Sequence, residues 1–461
     1  MGYALPFVWV FLIFLTGPPT AWATQSYPIL KKHIIGHNLK AYDRAVSEGN
    51  YRGHAGILMM GPEPAHALGL KTWTDENYMK GKALYEEAAQ LFDQAVSAMT
   101  TRGPETAPGG HAARVAELAL AHNTALEAAR NHMRAYRLGL TPQKDERLNR
   151  EVCSTLLDTL LTEAFQGVNY NLRDGLGAFY NRCQGLPDSC PPLTPENIRF
   201  VNHVFNGFIQ EASDGAKAPY DLGTQVLGHR LNPGTAWKAV VEPRARPFIK
   251  YLDPMIENSG NGRYPVDPLL FLALMKRESN LDPRAVSYVG AVGLTQIMPK
   301  TGKGLGMKQI YMPSYFEQAI SMLTKERKLR HRAKSILRQI SHEGMIQQAR
   351  RARGLMQESL DLRKKRSNLL ARYRKDVLSQ NRDDRLKPEL SIRYGYTYFS
   401  KMMKMHHGDI SLALAAYNAG PHRVKQYQGI PPYSETVSFR NTVMAYYKAY
   451  LSQLHHQTRN H

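Results

Sequence analysis

The chain has 461 residues, with 60 Lys or Arg against 39 Asp or Glu, a formal charge of +21. At 43% hydrophobic and 21% charged residues it has the apolar material for a core, which excludes a mostly disordered chain. Three cysteines exclude a disulfide-built mini-domain, and past the first residues no apolar run approaches the ~18 residues of a membrane span.

Ala4 to Leu15 is an apolar run, broken by Gly17-Pro18-Pro19 and followed by Ala21-Trp22-Ala23. The pattern predicts a secretory signal over 1–23 with cleavage after Ala23, although no Lys or Arg precedes the run. An uncleaved anchor or a buried helix is the alternative. Export predicts a periplasmic protein, soluble or peripherally associated with wall or membrane. It also puts Cys153, Cys183 and Cys190 in an oxidising compartment. Cys183 and Cys190 flank a turn-rich segment and are able to pair, Cys153 could pair with either, and three free thiols are the other possibility.

Residues 24–70 are mixed and uninformative. From Asp75 to Thr100, Leu84, Ala88, Leu91, Phe92, Ala95 and Met99 recur at helical spacing. Thr101 to Gly110 is a loop, an Ala-rich helix covers His111 to Leu138, and a third covers Asn149 to Phe165. Gln184 to Glu196, with four prolines, is another loop, and 197–245 carry short helical patterns between Gly and Pro. No fixed period emerges, so no repeat is assigned. Residues 24–245 therefore read as an α-helical domain whose role the sequence leaves unstated.

Phe248 to Glu257 reads as a helix. Asp267-Pro268 then places a capping carboxylate before a proline at the first helical position, and Leu269 to Met275 follow without a polar residue. A helix apolar on every side is a buried helix. Its end carries Lys276-Arg277-Glu278-Ser279. A carboxylate there is desolvated and lies at the negative end of the helix dipole, and both effects raise its pKa toward that of a general acid at neutral pH. A solvated Glu278 paired with Arg277 or Lys276 is the plainer alternative.

The segments that follow add to this. They are Glu278-Ser279, Gly293-Leu294-Thr295-Gln296, Ala416-Tyr417-Asn418-Ala419-Gly420 and Pro432-Tyr433-Ser434-Glu435-Thr436. In this order they resemble the soluble lytic transglycosylase (SLT) family, whose catalytic domain is goose-type-lysozyme-like. The resemblance covers about 246–312 and 386–452. It implies an all-α catalytic domain over 246–454 and cleavage of the MurNAc–GlcNAc β-1,4 bond of peptidoglycan glycan strands, without metal or cofactor. It further implies that the muramoyl C6 hydroxyl attacks C1 and leaves a 1,6-anhydro ring.

Carried over by position, the resemblance makes Glu278 the acid and then the base, with Ser287, Gln296, Tyr417, Asn418 and Glu435 meeting the substrate. Ordinary glycosidases need two carboxylates. Asp282 is the nearest second candidate and suits a turn cap better. For each substrate residue a plainer role exists: Ser287 closing a turn, Gln296 satisfying backbone, Tyr417 as half-buried core, Asn418 as a helix cap, Glu435 paired with Arg440. Gly293, Gly420 and Pro421 look structural, the last two as a helix cap and stop. Two departures stand out. Thr295 replaces the family's usual Met, which bears on saccharide fit, and Phe439 stands where Tyr is common.

Between Pro313 and Leu386 the family needs only a short connection. Residues 321–385 hold 19 Lys or Arg against 7 Asp or Glu. Apolar spacing, broken at Ser341-His342-Glu343-Gly344, predicts a basic helical hairpin inserted over 314–385. Such an arm could meet anionic wall polymer, acidic lipid or an acidic partner, or be a solvated face packed over the cleft. Nucleic acid is not expected for an exported chain. His33-x-x-x-His37 has metal spacing but no supporting motif. The reading is an exported, all-α lytic transglycosylase. Its rivals are a hydrolytic muramidase on the same fold and a non-catalytic wall-binding scaffold.

Overall fold

A computed structural model describes residues 27–38, 53–102, 110–168, 171–212, 235–259 and 264–459. The signal over 1–23 lies outside them. Sixteen α-helices follow one another among the described residues: α1 (27–38), α2 (Pro62–Ala67), α3 (Glu76–Thr100), α4 (His111–Leu138), α5 (Arg150–Gln166), α6 (Leu172–Cys183), α7 (Ile198–Ala212), α8 (Ile249–Ser259), α9 (Pro268–Ser279), α10 (Pro299–Leu305), α11 (Ser314–Leu337), α12 (Met345–Gln380), α13 (Pro388–Met405), α14 (Ile410–Ala419), α15 (Pro421–Tyr427) and α16 (Ser434–Arg459). There is no strand among them, only three isolated bridges, so the protein is all-α.

The helix starts follow local chemistry. The carboxylates of Asp75, Asp267 and Asp409 accept backbone N–H groups at the first turns of α3, α9 and α14, and the Asn149 amide oxygen does so for α5. Such a cap is worth about 1 kcal/mol. The predicted helices at 75–100, 111–138 and 149–165 match α3, α4 and α5 within a residue or two. Gly420 caps α14 at φ +92°, but Pro421 does not stop the chain's helical run. It opens α15, where its missing N–H costs nothing.

Helix α9 is the centre of the molecule. Leu269 through Met275 are fully buried, each large side chain contributing about 1.5–3 kcal/mol. The same apolar core runs from Tyr27 in α1 through Leu157 and Phe165 in α5 to Leu454 in α16, on both sides of the boundary expected near residue 245.

The basic segment forms the expected hairpin, α11 and α12. It does not lie over the cleft alone. Ala333, Leu337, Ala349 and Ala352 pack against Ala95, Met99, Val115 and Ala119 of the α3–α4 hairpin. Asn123 donates to the carbonyls of Leu337 and Ile340, and Gln357 to that of Met99. Part of the positive charge is internal, since buried Glu326 accepts from both Arg330 and Arg366 at 3.0 Å. Cys153, Cys183 and Cys190 are free thiols, the first two buried.

Candidate active site

Beyond α9 the chain reverses through Asn280 and Leu281, both in the left-handed region at φ +51° and +63°. The Asp282 carboxylate accepts the Arg284 N–H at 2.8 Å and caps the turn. A compact loop follows in which Val292 bridges to both Val286 and Ile297. Gly293 sits at φ +83°, and a Cβ there would stand 1.9 Å from the Arg385 carbonyl oxygen. Only glycine lets that backbone approach.

Arg385 holds the loop from below. Its guanidinium pairs bidentately with Asp383, donates to the carbonyl oxygens of Gly290 and Ile297, and meets the Tyr373 hydroxyl, all fully or nearly fully buried. A buried charge this well satisfied specifies one loop conformation.

Loop and helix end together frame a cleft of about 570 Å³. Glu278, Ser287 and Gln296 line it, with Lys276, Arg277, Thr442 and Tyr446. Glu278 is half-buried: part of it faces the cleft and protein surrounds the rest. Burial is the largest influence on its carboxyl and lifts the pKa from 4.5 to about 8. Arg277 opposes the rise and Glu435 adds to it. Among the residues lining the cleft, Glu278 is the only carboxylic acid.

The Ser287 hydroxyl accepts the backbone N–H of Ala291 at 2.9 Å, so it does close a turn, while still lining the cleft. Gln296, at φ +49°, donates its amide to the carbonyls of Ala285 and Gly293, so it both ties the loop and faces the cleft.

Tyr417, Asn418 and Glu435 do not line this cleft, although Tyr417 and Glu435 interact with Glu278 by charge. The Tyr417 hydroxyl donates to the Thr295 carbonyl at 2.7 Å. Burial first, then the charge of Glu278, push its pKa well above 10, so it stays protonated. The Asn418 amide oxygen accepts the Thr436 hydroxyl at 2.8 Å, which joins the end of α14 to the start of α16. Glu435 is exposed, and Arg440 is engaged elsewhere, with Asp174 and Ser411.

The two departures resolve physically. Thr295 is completely buried and points away from the cleft, its hydroxyl donating to the Ser391 carbonyl at 2.9 Å. It therefore bears on packing and not on saccharide fit. Phe439 is buried, with the Arg277 guanidinium 5.7 Å from its ring centre.

Sequence reasoning missed Thr442 and Tyr446. They lie four residues apart on one face of α16, and that face meets α9. Tyr446 is fixed by the Lys276 ammonium 4.8 Å from its ring centre, and Lys276 is held in turn by Glu242 at 3.1 Å. The available signal was the i, i+4 spacing of Thr442, Tyr446 and Tyr450 along α16.

The family described as Transglycosylase SLT domain matches residues 255–336 and 320–436, a stretch that contains Glu278, the loop and α14. The match covers less than half of the chain. It is similar to a transglycosylase of Enterobacteria phage PRD1, 41% identical over 56 residues, or 12% of this chain and 21% of that one. It is similar to a membrane-bound lytic murein transglycosylase C of Actinobacillus pleuropneumoniae, 39% identical over 111 residues, or 23% of this chain and 26% of that one. The chain thus spans about a quarter of the length of these relatives. The X-ray structure of an inactive mutant of the lytic transglycosylase Slt from Pseudomonas aeruginosa aligns over 96% of this chain and 78% of that one. The identity is 14% and the TM-score 0.27.

Proposed function

We propose that the protein is a peptidoglycan lytic transglycosylase that breaks MurNAc–GlcNAc β-1,4 bonds, with Glu278 as general acid and then general base. The observation that carries this reading is the Glu278 carboxyl, lifted to about 8 in a polar cleft, with Glu435 outside the lining and acting on it by charge. Below that pH the carboxyl is protonated and able to give its proton to the glycosidic oxygen as the bond from C1 breaks. The muramoyl C6 oxygen then bonds C1, and its proton returns to the Glu278 carboxylate. No water is consumed, and one carboxyl suffices where retaining and inverting glycosidases use two.

Ser287, Gln296, Tyr417, Asn418 and Glu435 form the saccharide-binding set in this reading, with catalysis in 246–454 and a helical region at 24–245. The relatives' names support an exported, wall-associated enzyme. Among the described residues no helix is long and apolar enough to cross a membrane. The exposed Arg363, Lys364 and Lys365 of α12 would meet anionic wall polymer, acidic lipid or an acidic partner by charge alone, which the salt dependence of sacculus binding tests.

The decisive experiment is mass spectrometry of soluble products from purified sacculi, with the wild type and Glu278→Gln. Anhydro-muropeptides from the wild type alone support the reading. Reducing-end products that require Glu278 would make the protein a hydrolase on this fold. Binding without products would make it a scaffold.

A further inference from the structure

The loop that frames the cleft has a double in the first half of the chain. Gly53, Gly56 and Met59 take φ +63°, +71° and +48°, as Gly290, Gly293 and Gln296 take +89°, +83° and +49°. Ala55 bridges to Met60 as Val292 does to Ile297. A Cβ on Gly56 would stand 1.7 Å from the Arg147 carbonyl oxygen, the contact Gly293 makes with Arg385. Arg147 pairs bidentately with Asp145, donates to the carbonyls of Gly53 and Met60, and meets the Tyr136 hydroxyl. Arg385 does the same with Asp383, Gly290, Ile297 and Tyr373. Even the ring stacks agree, Trp73 on Tyr136 at 5.7 Å and Tyr311 on Tyr373 at 5.8 Å.

The elements follow suit. The hairpin α3–α4 precedes Asp145-Glu146-Arg147-Leu148 as α11–α12 precedes Asp383-Asp384-Arg385-Leu386. The last turn of α6 carries Tyr180-Asn181, and that of α14 Tyr417-Asn418. Asn197 donates to the Asn181 amide oxygen as Thr436 does to that of Asn418. Helix α1 takes the place of α9: Asn38 donates to the Ile57 carbonyl just past Gly56, as Ser279 donates to the Leu294 carbonyl just past Gly293. The residue before Asn38 is His37, where the second half has Glu278. His37 lies against the rings of Phe200 and His203, which occupy the places of Phe439 and Thr442.

What is retained is the scaffold: glycines, the Asp–Arg hook, the Tyr-Asn helix end. What is lost is the chemistry of the cleft: Glu278, Gln296 and Tyr446 have become His37, Met59 and Gly207. The two copies are joined through buried polar contacts. Asn202 donates to the Ile430 carbonyl, and Asn441 in turn to that of Leu193. Arg173, its guanidinium 3.5 Å from the Phe205 ring centre, pairs with Asp409, whose other oxygen caps α14. Asp174 pairs with Arg440, which also donates to Ser411 on α14.

We infer that the described residues within 27–212 are a second copy of the fold built by 268–459. In this copy His37 holds the place of the acid, and it serves as a silent lobe that positions α14 and α16 of the other copy through Arg173 and Asp174. The positioning role rests on the activity proposed above. The duplication and the silence of the first lobe do not.

Three measurements on the full chain test the inference. Titration of Glu278→Gln with chitohexaose by calorimetry is expected to give one saccharide per chain, and two per chain would overturn the silence of the first lobe. His37→Gln is expected to release products within about two-fold of the wild type, and loss of turnover would likewise overturn it.

Arg173→Lys, which keeps the charge but loses the planar guanidinium that lies on Phe205, and Asn202→Ala, a milder break of the same interface, are expected to lower kcat about ten-fold or more at little change in KM. Both should speed amide hydrogen exchange across 410–419. Unchanged kcat and exchange in both variants would sink the positioning role. If the wild type itself releases no products, the transglycosylase reading fails, while exchange and stoichiometry still decide the inference about the lobes.

Discussion

The Tyr417 hydroxyl reaches the backbone carbonyl of Thr295 at 2.7 Å, so the end of α14 and the turn carrying Gln296 form one wall beside Glu278. On its other side, the Thr295 side chain fills the space that a Cβ on Gly395 would need, at 2.5 Å from Cγ2. Threonine and glycine fit each other there. Thr295→Met, which installs the usual SLT residue, is therefore expected to overpack the contact. The cost is about 1–3 kcal/mol in denaturant unfolding, with saccharide affinity unchanged.

Activity should follow the protonation of Glu278. Since burial raises its pKa to about 8, kcat/KM is expected to hold below that pH and to fall as pH rises through it. Glu278→Gln removes an acid worth about 10²–10⁴-fold and should flatten this limb. A pH–rate profile in solubilised glycan decides the matter.

The same raised pKa has a thermodynamic sign. Between 4.5 and about 8 the folded state keeps a proton that the unfolded chain has released, so stability due to Glu278 declines with rising pH over that window. Glu278→Gln should thus raise Tm relative to wild type at pH 8, and the difference should vanish below about pH 4.5. Equal Tm differences at both pH values would contradict a perturbed carboxyl.

Gly293→Ala should be among the most harmful single substitutions in the chain. It places a Cβ 1.9 Å from a backbone oxygen that is itself fixed by the Arg385 hook, at a φ that alanine disfavours. A loss of about 3 kcal/mol or more is expected in equilibrium unfolding. Asp383→Asn should cost about 3–5 kcal/mol by leaving Arg385 buried without its counter-charge.

Tyr446 is expected to act as an apolar platform for a sugar ring. Tyr446→Phe should bind chitohexaose as the wild type does. Tyr446→Ala should weaken binding about ten-fold, since an aromatic contact of this kind is worth about 0.5–1.5 kcal/mol beyond its area.

Much of this arrangement was legible in the sequence. Asp267-Pro268 before an unbroken apolar run announced the buried helix, and its end placed Glu278 where burial would act on it. The helices of both hairpins were equally plain, because their apolar residues keep a 3–4 spacing. What escaped notice was long-range. Tyr446 enters the cleft only because α16 packs on α9, a contact that no local pattern encodes. The direction in which Thr295 points depends on Gly395, a hundred residues away. The duplication left its trace in Asp-x-Arg-Leu, present twice, and in the Tyr-Asn pairs of α6 and α14. The apolar positions between them have drifted, and the unit is far longer than the periods that mark solenoids.

A chain with two Asp-x-Arg-Leu hooks faces a problem of self-recognition during folding. Each hook fits a loop of the same geometry, so the first hook is a competitor for the second loop, and exchanged hairpins are the characteristic misassembly of tandem copies. The hairpins differ in a way that separates them: α3 and α4 have 25 and 28 residues, α11 and α12 have 24 and 36. Helix α12 is eight residues longer than α4, about 12 Å, so an exchanged hairpin would not bring its hook to the other loop at the same reach.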